Sequence, residues 1–230
     1  MNTAANKEPY WLGIFKAGGV AAIAMLAIMV VQIVIFILFP PPNSVEGFFT
    51  LFQQNRLLGL FSLDLLYILN NTLLILIYLA LYFSLRRSGE SAALLALVLG
   101  LAGIIAYYAS NTAFEMMAIS RQYASASTEA QRTSLMGAAQ ALFAIYRGTA
   151  FNVYYVLNAA SLLIFSAVML RSSQFSRATA IIGLISGVLM IIPSTAGTIG
   201  LIFSLASLVP WAVFCFLVMR KFLKMGQNQS

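Results

Sequence analysis

Apolar residues fall along this chain in six long runs, about residues 11–39, 57–85, 92–119, 141–170, 178–198 and 200–219, separated by short polar stretches. Runs of this kind match the roughly 20 residues that carry a helix across about 30 Å of hydrocarbon. The pattern predicts an all-α fold: a polytopic transmembrane bundle of six helices, forming one membrane domain over residues 1–230. The first run stops at Pro40, Pro41 and Pro42. At about 22 apolar residues it is too long for the hydrophobic region of a cleaved signal peptide. Tyr10, Trp11 and Phe15, with Lys7 and Lys16, read as an interfacial anchor before it.

The polar stretches on one side of the bundle are short and basic; those on the other are longer and amphipathic. Asn43 and Glu46 have the spacing of a capping box, which predicts a short helix over Val45–Arg56 lying on the outer membrane face. Thr128 and Gln131 repeat the signal. A helix begun there and continued to Leu170 would reach roughly 60 Å, too long for the bilayer, so a protrusion or a bend at Gly137 or Gly148 is expected. Gly18, Gly19, Gly100, Gly103 and the Gly183-x-x-x-Gly187 pair mark points where helices approach closely. Pro193 interrupts the fifth run, and Pro210 kinks the sixth.

Composition sharpens the class. The 230 residues are 61% apolar and 8% charged, against roughly half and a quarter in soluble domains. The net charge of +7 is not gathered in one tail or face, which argues against nucleic acid. With six spans, nine of the thirteen basic residues fall on the side of the termini: Lys7, Lys16, Arg86, Arg87, Arg171, Arg177, Arg220, Lys221 and Lys224. Arg56, Arg121, Arg132 and Arg147 fall on the other. The richer side is expected to be cytoplasmic, with both termini inside the plasma membrane of the cell. There is no histidine and one cysteine, Cys215, so histidine-ligated haem or zinc, a catalytic histidine and an internal disulfide are excluded. No metal and no cofactor is expected.

The candidate chemistry is the set of polar residues within the runs. Asp64, Tyr67, Asn71 and Tyr78 share a helical face, as do Arg147, Tyr154, Asn158 and Ser161. On the six-span topology Asp64, Glu115 and Arg147 lie at similar depth near the outer surface, with Asn71, Asn111 and Asn152 close by. A carboxylate in hydrocarbon costs about 2.5–3.5 kcal/mol on insertion scales, and an arginine between two acids offsets that cost. The cluster reads in two ways: as an outward-facing polar pocket for a lipid head group, a quinone-like ring or a small polar solute, or as polar contacts that pin helices together.

Gly148-Thr149-Ala150 followed by Phe151-Asn-Val-Tyr-Tyr-Val-Leu, the turn Phe175-Ser-Arg-Ala-Thr-Ala and the glycine-rich opening of the first run resemble bacterial and archaeal multi-span proteins catalogued as domain of unknown function 4386. The resemblance implies a prokaryotic six-span bundle and brings no activity. The expected function is therefore a non-enzymatic binding or accessory subunit, in contact with the bilayer and with a bound lipid or quinone-like molecule, a larger membrane complex or a second copy. A small transporter using Asp64 and Glu115 is the alternative. No nucleophile and base stand at a defined spacing, so an enzyme is not expected.

Overall fold

A computed structural model describes residues 12–227, and the interfacial anchor at Lys7, Tyr10 and Trp11 lies outside them. Among the described residues the regular structure is helical throughout: α1 (Leu12–Leu38), α2 (Val45–Gln54), α3 (Arg56–Ser62), α4 (Leu65–Ser110), α5 (Ala113–Ser125), α6 (Glu129–Tyr146), α7 (Thr149–Leu170), α8 (Arg177–Leu189) and α9 (Gly197–Gln227). Four stretches are long and apolar enough to cross a membrane: Gly13–Leu38, Leu65–Ser125, Glu129–Leu170 and Gly197–Gln227.

Local chemistry sets the ends. α1 stops just before three prolines, which lack amide protons and cannot continue a helix. α2 starts one residue later than its Asn43–Glu46 spacing implies, because Ser44 is the cap and its hydroxyl accepts from the Gly47 amide at 3.2 Å. Thr128 and Gln131 do form a reciprocal capping box, the Thr128 hydroxyl accepting from the Gln131 amide at 3.2 Å and Gln131 Oε1 from the Thr128 amide at 3.4 Å. The long helix started there breaks at Arg147–Gly148, not at Gly137. At Gly148 a β-carbon would lie 2.8 Å from the Ala144 carbonyl oxygen.

α4 reverses direction at Gly89, its one non-helical residue. The arms run back along each other: Thr72 and Tyr108 share a hydroxyl hydrogen bond of 2.8 Å, and the Tyr78 ring fills the notch left by Gly100. The returning arm ends at Ser110, well short of the boundary near residue 119 that the apolar run implies. Asn111 and Thr112 leave the helix, and α5 then heads elsewhere.

The elements sort into two packed bodies. α1 touches α4 and α9, α4 touches α7, α7 touches α8, and α8 touches α9, so the long helices close into a ring. α2, α3, α5 and α6 pack on one another as a cap at one end, around Phe48, Phe49, Phe52, Leu63 and Met116. At the opposite end the Gly89 reversal faces Val168, and Phe222 meets both Phe15 and Phe175. The ring wears apolar side chains outward, Val30, Ile105, Ile202 and Val209 among them, as a lipid-facing surface requires. The exposed first turns of α6 are mostly polar.

Between the arms of α4 and α7, polar atoms bridge buried backbones. The Tyr78 hydroxyl donates to Asn158 Oδ1 at 2.6 Å, and the Ser161 hydroxyl donates to the Ala96 carbonyl at 2.7 Å. Gly103 admits Asn158: a β-carbon at Gly103 would lie 2.3 Å from the Asn158 amide nitrogen.

Gly103→Leu is therefore expected to displace Asn158 and lower stability by about 1–3 kcal/mol, seen as a lower melting temperature in detergent. Gly137→Ala, on open α6 surface with nothing within 4 Å, is expected to raise it by up to about 1 kcal/mol. Equal effects at the two glycines would contradict this packing.

Candidate functional site

The site begins where the helix α3–α4 is interrupted. Asp64 has φ 59° and ψ 30°, the one non-glycine residue at positive φ among those described. Aspartate tolerates this left-handed conformation better than most residues. A broken helix leaves carbonyls without partners, which is costly away from water. Here Asn111 Nδ2 reaches the Leu63 carbonyl at 2.9 Å, while the Phe61 and Asp64 carbonyls, which accept the Asp64 and Tyr67 amides at 3.1 and 3.0 Å, take second donors from Gln32 Nε2 at 3.2 Å and the Tyr107 hydroxyl at 3.1 Å. α1 and the second arm of α4 are thus fastened to the break.

The Asp64 carboxylate does not cap α4. It accepts a hydrogen bond at Oδ2 from the hydroxyl of Tyr146, the last residue of α6. The cap is tied to the ring through this contact. Asp64 is half-buried, and its free surface faces a cavity inside the ring.

That cavity has a volume of about 540 Å³ and is walled by α1, α4, α7, α9 and the segment after α8, within the range of small-molecule sites. Its polarity is graded. The half near the cap carries Asp64, Tyr67, Asn70, Tyr155 and Ser204, with Gln32 from α1. The far half carries Met25, Leu74, Leu162, Trp211 and Cys215, with Tyr78 and Asn158 hydrogen-bonded to each other. In the half near the cap, Tyr107, Phe151, Tyr154 and Tyr155 form an aromatic cluster, with ring centroids 4.8 Å apart for Tyr107–Tyr154 and 5.2 Å for Phe151–Tyr155. The Tyr155 hydroxyl shares a 2.6 Å hydrogen bond with Ser204. Two acceptors, Gln32 Oε1 and Asn70 Oδ1, are buried without a hydrogen-bond partner, and Gln32 is only 1% exposed.

The wall is not continuous. α1 and α9 meet closely at the end away from the cap, where Gly18 and Gly19 accept Phe222 and Leu223. Toward the cap, Ile37 on α1 and Leu205 on α9 line the cavity yet are 71% and 58% exposed, so they stand at the rim of a side opening.

Of the six residues singled out in the sequence, Asp64 alone lines this cavity. Asp64, Glu115 and Arg147 are not brought together. The break at Asn111 places Glu115 in the first turn of α5, exposed, where its charge suits the helix N-terminus. α6 ends between two adjacent side chains, so Tyr146 turns inward to Asp64 while Arg147 lies exposed over the Phe143 ring at 4.3 Å. Asn71 is fully buried and donates to the Tyr67 carbonyl at 2.9 Å. Asn111 closes α4 by accepting from the Ala113 amide at 3.2 Å while holding Leu63. Asn152 accepts from Thr195, fastening α7 to the turn before α9. Asn111 and Asn152 thus bond across separate segments, and Asn71 bonds within its own helix. Gln32, Asn70 and Tyr146 are the site residues that sequence reasoning missed. Gln32 had a usable signal, as the one polar side chain in the apolar run from Gly18 to Phe39.

The chain belongs to the family described as Domain of unknown function (DUF4386), which matches residues 17–220. No curated protein and no solved structure matches it.

Tyr146→Phe removes the inward hydrogen bond to Asp64 and is expected to lower stability by about 1.5–3 kcal/mol. Arg147→Ala, one residue later, is expected to stay within about 0.5 kcal/mol. Thermal unfolding of the two variants in detergent separates them, and the reverse ranking would restore Arg147 as the partner of Asp64.

Proposed function

We propose, for a member of a family that brings no assigned chemistry, that this chain crosses the cell membrane six times with both termini in the cytoplasm. In that reading it is a non-enzymatic binding or accessory subunit, holding a lipid or a small lipid-soluble ring in the cavity beneath its cap. The observation that carries the reading is the cavity itself: about 540 Å³, polar at one end, apolar at the other, and open at the side between α1 and α9.

The crossing number is supported by lengths. The α4 arms, residues 65–88 and 90–110, reach about 36 and 32 Å, and α7 about 33 Å, against about 30 Å of hydrocarbon. α8, with 13 residues, reaches only about 20 Å. The non-helical segment after it completes the fifth crossing, and irregular backbone at such depth is tolerated where it lines a cavity, as Ser194 does. The orientation is supported by the basic turns at Arg86–Arg87 and Arg171–Arg177, which lie at the end away from the cap. A side opening framed by Ile37 and Leu205 admits a guest from the lipid phase without crossing water.

A second reading, a small secondary transporter, is favoured by one observation: Asp64 is an ionisable group within the membrane domain that faces a cavity. Glu115, exposed on the cap, does not share that position.

Native mass spectrometry in mild detergent is expected to show a retained small molecule or lipid. Leu162→Trp, which fills the cavity, is expected to abolish the adduct, whereas Ile105→Trp on the outer surface leaves it in place. Equal retention by both variants would reduce the adduct to surface lipid. Reporter tags on the two ends are expected on the same, cytoplasmic side, and opposite compartments would end the six-span reading. Solute flux in liposomes that Asp64→Asn abolishes would select the transporter.

A further inference from the structure

We propose that the guest is a lipophilic cation: an amphiphile whose protonated amine sits beside Asp64 and whose chain runs toward Leu74, Leu162 and Trp211. This deepens the reading of the cavity as a site for a membrane-borne small molecule and rests on it. Among the described residues, the cavity wall holds one carboxylate and neither lysine nor arginine. Asp64 is thus the one formal charge on the cavity wall, in a chain whose net charge is +7. The nearest arginine along the chain to the Asp64 partner, Arg147, is exposed and turned onto Phe143.

The hydrogen-bond inventory points the same way. Gln32 Oε1 and Asn70 Oδ1 are buried acceptors with no donor among the protein groups. Gln32 is fixed by its amide bond to the Phe61 carbonyl, three residues before Asp64. A carboxylate and two unsatisfied carbonyl oxygens call for a guest that donates, and an alkylammonium head carries up to three donors and a positive charge. A fatty acid or phosphate head would add acceptors and a second negative charge. Asp64, Tyr67 and Asn70 all line the cavity. The aromatic cluster of Tyr107, Phe151, Tyr154 and Tyr155 offers ring faces that attract a desolvated cation.

Three probes of one chain length decide the matter: dodecylamine, dodecanol and dodecanoate, added at matched membrane loading to the full chain in phosphatidylcholine nanodiscs. Trp211 lines the cavity and reports occupancy by fluorescence once Trp11, the other tryptophan, is replaced by Phe. Dodecylamine is expected to give a saturable response at concentrations at least about tenfold below dodecanol, with dodecanoate weakest. Asp64→Asn, which keeps a residue tolerant of positive φ, is expected to weaken dodecylamine by roughly tenfold and leave dodecanol unchanged. Asn70→Leu is expected to weaken the amine as well and tests the same inference without touching the helix break. Equal affinity for amine and alcohol, or variants that leave the amine unaffected, would overturn the cation while keeping the cavity as a site. Absence of a saturable response to all three would overturn both.

Discussion

Backbone carbonyls freed inside a hydrophobic surround must find donors, and this structure is arranged around one place where they are freed. At Leu63–Asp64 the chain leaves one helix and begins another. The carbonyls of Phe61, Leu63 and Asp64 receive donors from Gln32, Asn111 and Tyr107. Gln32 comes from α1, and Tyr107 and Asn111 from the end of the second arm of α4, so one interruption fixes α1 and that arm against the start of the first arm. The Phe61 and Asp64 carbonyls also accept the Asp64 and Tyr67 amides, so Asn111, which serves the Leu63 carbonyl, is the donor whose loss costs most, about 1–3 kcal/mol. The left-handed Asp64 is held by the bonds around it, and its side chain is thereby free to serve both Tyr146 and the cavity.

The same interruption separates two kinds of packing. On the cap side, α2, α3, α5 and α6 bury phenylalanines against one another, and the first turns of α6 show mostly polar side chains outward. On the ring side, small residues and hydrogen bonds bring helices together while large apolar side chains face out. In lipid, apolar surface gains little by leaving its surroundings, so close approach and polar bridges carry the association. Gly100 and Gly103 against Tyr78 and Asn158 are that arrangement in this protein.

Features governed by neighbours in sequence were legible from it. The all-helical class, the Thr128–Gln131 cap and the close-packing glycines follow from spacing and residue type, and the structure has them; of the two bends offered, at Gly137 or Gly148, it has the one at Gly148. The family likeness was legible from short motifs. Less accessible were contacts across the chain: Tyr146 meets Asp64 from 82 residues away, and no periodicity encodes that meeting. The end of α4 at Ser110 was hidden because α5 continues apolar enough to extend the run, and Glu115 was misplaced with it. The interruption at Asp64 carries neither glycine nor proline to announce it.

Ring closure between α1 and α9 has a consequence for biogenesis. Gly19 and Leu223 meet across about 200 intervening residues, so this seam is absent until α9 has been synthesised and inserted. Until then the future cavity is a groove open along the side that α9 later covers. On the proposed reading of the cavity, a lipid-soluble molecule lying in that groove is enclosed as α9 docks or leaves through the gap near Ile37.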